Sequence, residues 1–289
     1  MTVSSSNSVA ETSSIAELLV WASSQFVDSD SPRLDAELLL AFALKKDRTY
    51  LFTWPEKTLS GDQFLCFQES VTRRIQGEPV AYLMGEQGFW SLTLNVNPST
   101  LIPRPETELL VEIALEKVSS TDANVLDLGT GTGAIALALA SEHPAWSVTG
   151  VDFSSEAVTL AQENKTRCGL TNAEFLQSNW FDSLDDHRRF DLIVSNPPYI
   201  DPEDIHLSQG DVRFEPKSAL ISQQKGLADI VTIATHAREF LAPGGWLMFE
   251  HGYDKGNDCL QLLQTLGYQQ VETRQDLGDR DRVTLGRFR

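Results

Sequence analysis

With 289 residues, 41% hydrophobic and 22% charged, the chain is long enough for one large or two modest globular domains with a buried core, which excludes a disordered or fibrous protein. A formal net charge of −18, from 41 acidic and 23 basic residues, argues against direct nucleic-acid binding, because a phosphate footprint needs clustered Lys and Arg. The charge is open to two readings, a surface that attracts a basic partner or one that serves solubility alone.

Residues 1–13, "MTVSSSNSVAETS", are Ser-rich and predict a flexible N-terminus with neither a basic nor an apolar signal region. "IAELLVWASSQF", "PRLDAELLLAFAL" and "DQFLCFQESVTRRI" then repeat apolar residues at helical intervals, which predicts a small helical domain over residues 14–77. Pro32 suits a first helical turn and Ser31 suits its cap. Short alternating runs in "GFWSLTLNVNP" predict a β-hairpin linker within residues 78–105. Over residues 106–289 the helix "ETELLVEIALEKV" leads into alternating elements, with strands at "NVLDLG", "SVTGVD", "AEFLQ", "FDLIVS", "GGWLMFE", "YQQVETR" and "RVTLGRF". Helices are expected from near Ala134, Ser155, Gly226 and Asp254. This order predicts an α/β, Rossmann-like sheet of seven mostly parallel strands with helices on both faces.

The first of these strands ends in "DLGTGTG", a turn built from Asp127, Gly129, Thr130, Gly131, Thr132 and Gly133. Glycines let a ligand approach the backbone, and the helix that follows aims N–H groups at it. Dinucleotide enzymes carry a glycine-rich turn at the same place, so the turn alone does not choose the ligand. Asp127, two positions before the first glycine, is placed to hold an ammonium or a water near a cofactor's polar tail. Asp152 ends the next strand, where a carboxylate accepts both hydroxyls of a ribose; dinucleotide and S-adenosylmethionine sites share this feature, and a helix cap is the structural alternative. Trp180, after the third strand, is placed to lie against an adenine ring or else to fill a core.

"NPPY", Asn196, Pro197, Pro198 and Tyr199, follows the fourth strand. Each proline fixes its own φ and restricts the residue before it, so the tetrapeptide is stiff and its prolines lack N–H groups. It presents two acceptors, the Asn196 side-chain oxygen and the Pro197 carbonyl. Such a pair suits a planar NH2 group. An amide nitrogen is a poor nucleophile because its lone pair is delocalised; in the peptide bond that resonance sets a barrier of roughly 18–20 kcal/mol. Hydrogen bonds from both N–H groups return density to nitrogen while Tyr199 packs below its plane. Read by itself the tetrapeptide is also compatible with a plain proline-rich turn.

"DLGTGTG", Asp152 and "NPPY" together resemble the class I S-adenosylmethionine-dependent methyltransferases that act on planar nitrogens. Adding "GEPVAYLMG", "TLIPRPETELLVE", "QGDVRFEPKSAL", "EHG" and "DRVTLGRF", the chain from about Ile15 onward resembles the HemK/PrmC family. The resemblance implies methyl transfer from S-adenosyl-L-methionine to the glutamine side-chain nitrogen, N5, in the Gly-Gly-Gln loop of class 1 peptide chain release factors. It implies a cofactor site at Asp127, Gly129 to Gly133, Asp152, Trp180 and Asn196, bordered by Arg104 and Glu106. It implies a glutamine site at Asn196, Pro197, Pro198 and Tyr199. Asn179 stands where that family often has Asp, and Arg213 and Glu215 offer either a substrate contact or a solvated ion pair. The helical domain is expected to grip the release factor.

A different protein glutamine and an adenine amino group in nucleic acid are the alternative substrates, the latter disfavoured by the net charge. A nicotinamide-dependent oxidoreductase is the alternative activity. Cys66, Cys168 and Cys259 read as reduced thiols, and the histidines lack ligand spacing, so no metal site is expected. Without a run of about 18 apolar residues the chain is expected to be a cytoplasmic monomer that does not engage a membrane.

Overall fold

The computed structural model describes residues 10–289. The expectation of a flexible segment over residues 1–13 falls mostly on residues 1–9, outside the described residues. The chain divides into two compact units, one comprising residues up to Gly85 together with Ser208–Phe214, the other Glu86–Leu207 and Glu215–Arg289.

The first unit is helical: α1 (Ile15–Gln25), α2 (Pro32–Leu44), α3 (Arg48–Thr53), α4 (Gly61–Ile75) and α5 (Val80–Met84). Ser14 with Glu17, and Ser60 with Gln63, form reciprocal capping boxes that start α1 and α4. Pro32 opens α2 as expected, but the Ser31 hydroxyl donates to Asp35 Oδ1 at 3.2 Å, so it makes no cap bond to the backbone. Leu18, Leu39, Leu40, Phe67 and Val71 make the core. Arg74 is clamped by Asp35 at 2.8 Å and Asp211 at 2.7 Å, which ties the returning segment to the helices.

The second unit begins with the hairpin β1 (Glu86–Phe89) and β2 (Leu92–Asn95). After α6 (Glu108–Lys117) come β3 (Asn124–Leu128), α7 (Ala134–Glu142), β4 (Ser147–Asp152), α8 (Ser155–Cys168), β5 (Ala173–Gln177) and β6 (Phe190–Ser195). The short turn α9 (Gln223–Gly226) leads to α10 (Ala228–Phe240), β7 (Leu241–Glu250), α11 (Gly256–Thr265), β8 (Gln269–Gln275) and β9 (Asp281–Arg287). The sheet has seven strands in the order β5-β4-β3-β6-β7-β9-β8, parallel except around β9.

Side-chain alternation sends successive strand residues to opposite faces. Val125, Leu192, Val194, Trp246 and Met248 pack under α6 and α7. Leu126, Ile193, Leu247 and Phe249 pack under α10 and α11. Among the described residues no helix is long and apolar enough to cross a membrane.

Asn164, fully buried in α8, joins three elements. Its Oδ1 accepts from the Asn95 N–H at 2.7 Å, and its Nδ2 donates to the carbonyls of Asn95 at 3.0 Å and Thr132 at 2.9 Å. Replacing Asn164 with Ala strands these buried groups, and denaturant titration is expected to read a loss of roughly 1–3 kcal/mol. Unchanged stability would mean that the hairpin is held by apolar packing alone.

Candidate active site

Register places the site. Leu128 pairs with Ser195, and Ser195 with Phe249, so Gly129, Asn196 and Glu250 leave three neighbouring parallel strands side by side. The connections run outward in opposite directions from β3 and β6, which makes this the point where an open α/β sheet forms a ligand crevice. Asn196 and Glu250 continue the alternation of Val194 and Met248 and so face the α6 layer.

A cavity of about 400 Å³ opens there. Of the residues expected from sequence, Gly129, Thr130, Gly131, Thr132, Asp152, Trp180, Asn196 and Pro198 are on its wall, as are Asn179 and Arg104. Asp127, Gly133, Pro197 and Tyr199 stand outside that lining, and Glu106 is exposed.

The glycine turn takes φ values of +70° at Gly129, +54° at Gly131 and +83° at Gly133, a region that penalises a Cβ. Gly129 and Thr130 both donate their N–H groups to the Val151 carbonyl at 2.9 Å; Gly131 donates to Asp152 Oδ2 at 2.9 Å and Gly133 to the Thr130 carbonyl at 2.8 Å. These donors are engaged within the protein, whereas a pyrophosphate cradle needs them directed at the ligand. The turn suits a ligand that brings its own donors.

Asp127 is fully buried beneath the turn. Its Oδ2 accepts from the Thr130 hydroxyl at 2.6 Å and the Ala136 N–H at 3.3 Å, while its Oδ1 has no hydrogen-bond partner. Burial raises its pKa to about 7, opposed by the Thr130 and Ala136 hydrogen bonds. Asp152 is also pushed up by burial, although it accepts N–H groups from Ser154 and Gly131. It is not the cap of α8: Ser154 is, accepting from the Ala157 N–H at 3.2 Å. Asp152 therefore presents its carboxylate to the cavity beside the exposed Phe153.

Trp180 sits at φ +51°, with its ring 3.5 Å from where a Cβ on Gly129 would lie, and its other side packs on the core under α10. Trp180 thus both lines the cavity and packs on the core. The Asn179 Nδ2 donates to Asp182 Oδ2 at 2.9 Å, which leaves the Asn179 amide oxygen as an acceptor.

At the end of β6 the Asn196 Nδ2 donates to Thr107 Oγ1 at 3.0 Å, and the Tyr199 hydroxyl donates to Glu250 Oε1 at 3.0 Å. Burial and the neighbouring Glu250 carboxylate push the Tyr199 phenol well above its ordinary pKa, so it stays protonated. Gly226, at φ +85°, lets the backbone turn: a Cβ there would fall 2.1 Å from the Tyr199 carbonyl oxygen. Glu215 is buried rather than solvated, accepting from the Ile102 N–H at 2.9 Å and from Arg104 at 2.6 Å. Arg213 belongs to the helical unit, where it donates to the Gln76 carbonyl.

Sequence reading missed Thr107, Phe153, Gly226 and Glu250. Glu250 left a signal as an acid ending an otherwise apolar strand, and Thr107 lies in the quoted stretch "TLIPRPETELLVE" without being singled out.

Asp127 gives a signed pH dependence. Because folding raises its pKa, its contribution to stability is full below the ordinary carboxylate range, near about 4, and is lost as pH rises through about 7. Denaturant titrations across that window should show Asp127→Asn losing less stability with rising pH than the parent. Identical slopes would contradict a buried, under-partnered carboxyl.

Residues 17–85 match the family model described as the PrmC N-terminal domain, and residues 119–276 one described as a methyltransferase domain. A release factor glutamine methyltransferase of Vibrio cholerae is 58% identical over 261 residues, covering 90% of this chain and 91% of its own. One of Shewanella oneidensis is 54% identical over 281 residues, covering 97% and 98%. Among solved structures, the 16S rRNA N2 G1207 methyltransferase of Thermus thermophilus, in complex with AdoMet and guanosine, shares the fold with a TM-score of 0.53 and 22% identity, covering 71% of this chain and 50% of its own.

Proposed function

The chain belongs to the HemK/PrmC family of release factor glutamine methyltransferases, and we propose that it methylates N5 of the glutamine in the Gly-Gly-Gln loop of class 1 peptide chain release factors, with S-adenosyl-L-methionine as donor. The observation that carries this reading is Asn196: its Nδ2 is engaged by Thr107, so its Oδ1 is the group available to a substrate NH2 at the cavity.

The residues present fit the donor. The engaged N–H groups of the glycine turn disfavour a dinucleotide, while Asp152 on the wall suits the hydroxyls of a ribose. The unpartnered Asp127 Oδ1 beneath the turn suits a donor from the polar tail or a water joined to it. Trp180 and the Asn179 oxygen offer a ring face and an acceptor for adenine. S-adenosylmethionine supplies a methyl group on a positively charged sulfur, so the leaving group departs neutral.

The protein's part is positioning. Asn196 Oδ1 and the Pro197 carbonyl each accept one N–H of the glutamine amide, which fixes its plane and withdraws the nitrogen lone pair from resonance. Tyr199, immobilised through Glu250, supports that plane. Orientation of this kind contributes roughly 7–11 kcal/mol where the reactants are well aligned. The proton leaves the amide nitrogen after the methyl group arrives, when that nitrogen is acidic, so no strong base is required in advance. The helical domain carries no catalytic motif and is assigned to gripping the release factor, with the net charge of −18 matching a basic partner. With such a substrate the enzyme works in the cytoplasm, as a monomer.

Mass spectrometry of a release factor incubated with the protein and S-adenosylmethionine is expected to find one added methyl on the Gly-Gly-Gln glutamine. Asn196→Ala should lower the rate by about 100-fold or more. An unmodified glutamine despite cofactor binding would overturn the substrate assignment.

A further inference from the structure

An asparagine side chain is nearly symmetric in shape, and a half-turn of its amide exchanges oxygen for NH2. Only the oxygen can accept from a substrate N–H. Asn196 thus needs its neighbours to decide which way it faces.

Those neighbours are buried and ordered by their protons. Glu250 is 1% exposed and Thr107 4%. The Tyr199 hydroxyl donates to Glu250 Oε1 at 3.0 Å, and the Thr107 hydroxyl to Glu250 Oε2 at 2.6 Å. Burial pushes the Glu250 carboxyl above its ordinary range, opposed by the hydrogen bonds from Thr107 and Tyr199, and with both of its oxygens accepting hydroxyls the Thr107 proton is committed to Glu250. What Thr107 can still offer Asn196 is a lone pair. Only the Asn196 NH2 can use it, at the observed 3.0 Å, and Oδ1 is left for the cavity.

We propose that Thr107 and Glu250 are positioning residues for methyl transfer: the one-way proton order from Asn196 to Thr107 to Glu250 locks the Asn196 amide with its oxygen toward the substrate nitrogen. This rests on the reading of the site as one that methylates an amide. The same carboxyl group holds Tyr199, so a single buried acid sets both the acceptor and the aromatic support of the glutamine site. Glu250 stands outside the cavity lining and Thr107 is on it; each is assigned to act through the residue it holds.

The test uses the full-length protein, a release factor and S-adenosylmethionine. Thr107→Val keeps the shape and removes the hydroxyl, leaving the amide free to turn. It is expected to lower kcat by about 10–100-fold, the scale of a small misplacement, while KM for the release factor and Kd for the cofactor stay within about threefold. Thr107→Ser, which keeps the hydroxyl, should recover most of the loss. In an Asn196→Ala background Thr107→Val should cost nothing further, because the residue it acts through is gone.

Thr107→Val with the parent's kcat would overturn the proposal. So would a loss that Ser does not rescue, or one that persists in full beside Asn196→Ala, since either points to general support of the fold. If the parent protein leaves the glutamine unmethylated, the functional reading fails first and this assignment with it.

Discussion

The site depends on one constraint, the parallel register of β6 between β3 and β7. Because Leu128, Ser195 and Phe249 are neighbours across three strands, the residues that follow them emerge at one point. The alternation that buries Val194 and Met248 under α6 then directs Asn196 and Glu250 to the same side. Thr107, at the turn leading into α6, meets them there. A shift of one residue of β6 against β3 would send Asn196 to the opposite face, and one of β7 against β6 would send Glu250 there.

The chemistry follows from what is already paired. In the glycine turn the N–H groups of Gly129, Thr130 and Gly131 are taken by Val151 and Asp152 and that of Gly133 by Thr130, and in "NPPY" the prolines have no donors. The crevice is thereby rich in acceptors, with Asp152, Asn179, Asn196 and Asp229 on its wall, and Arg104 there is held by the buried Glu215. Such a surface favours ligands that carry N–H, O–H or positive charge. A sulfonium donor with a ribose and an amide acceptor both meet that description, and a pyrophosphate does not.

Much of this was legible in the sequence because it is written in local patterns. Alternating apolar runs marked the seven strands, and "DLGTGTG", Asp152 and "NPPY" stand at strand ends where α/β sheets gather ligands. What was not legible is long-range or too short to show a period. α3 and α5, of 6 and 5 residues, complete too little of a helical pattern to register. Asn164 reads as an ordinary polar residue of an amphipathic helix, and only the packing of α8 against β2 reveals its three hydrogen bonds. Thr107 and Glu250 are separated by 143 residues, so neither sequence neighbourhood announces the other. Asp152 was readable as a cap or as a ligand group, and the hydroxyl of Ser154, which caps α8, removes the first reading.

The central claim is that two acceptors grip the two N–H bonds of one planar amide. It is tested most directly by NMR of a release factor carrying 15N in the Gly-Gly-Gln glutamine side chain, bound to the enzyme with S-adenosylhomocysteine. The account predicts that both amide protons move downfield and exchange slowly, and that Asn196→Ala releases one of them while the other persists. Two protons that stay at their free positions in the bound complex, or a pair unaffected by Asn196→Ala, would contradict it.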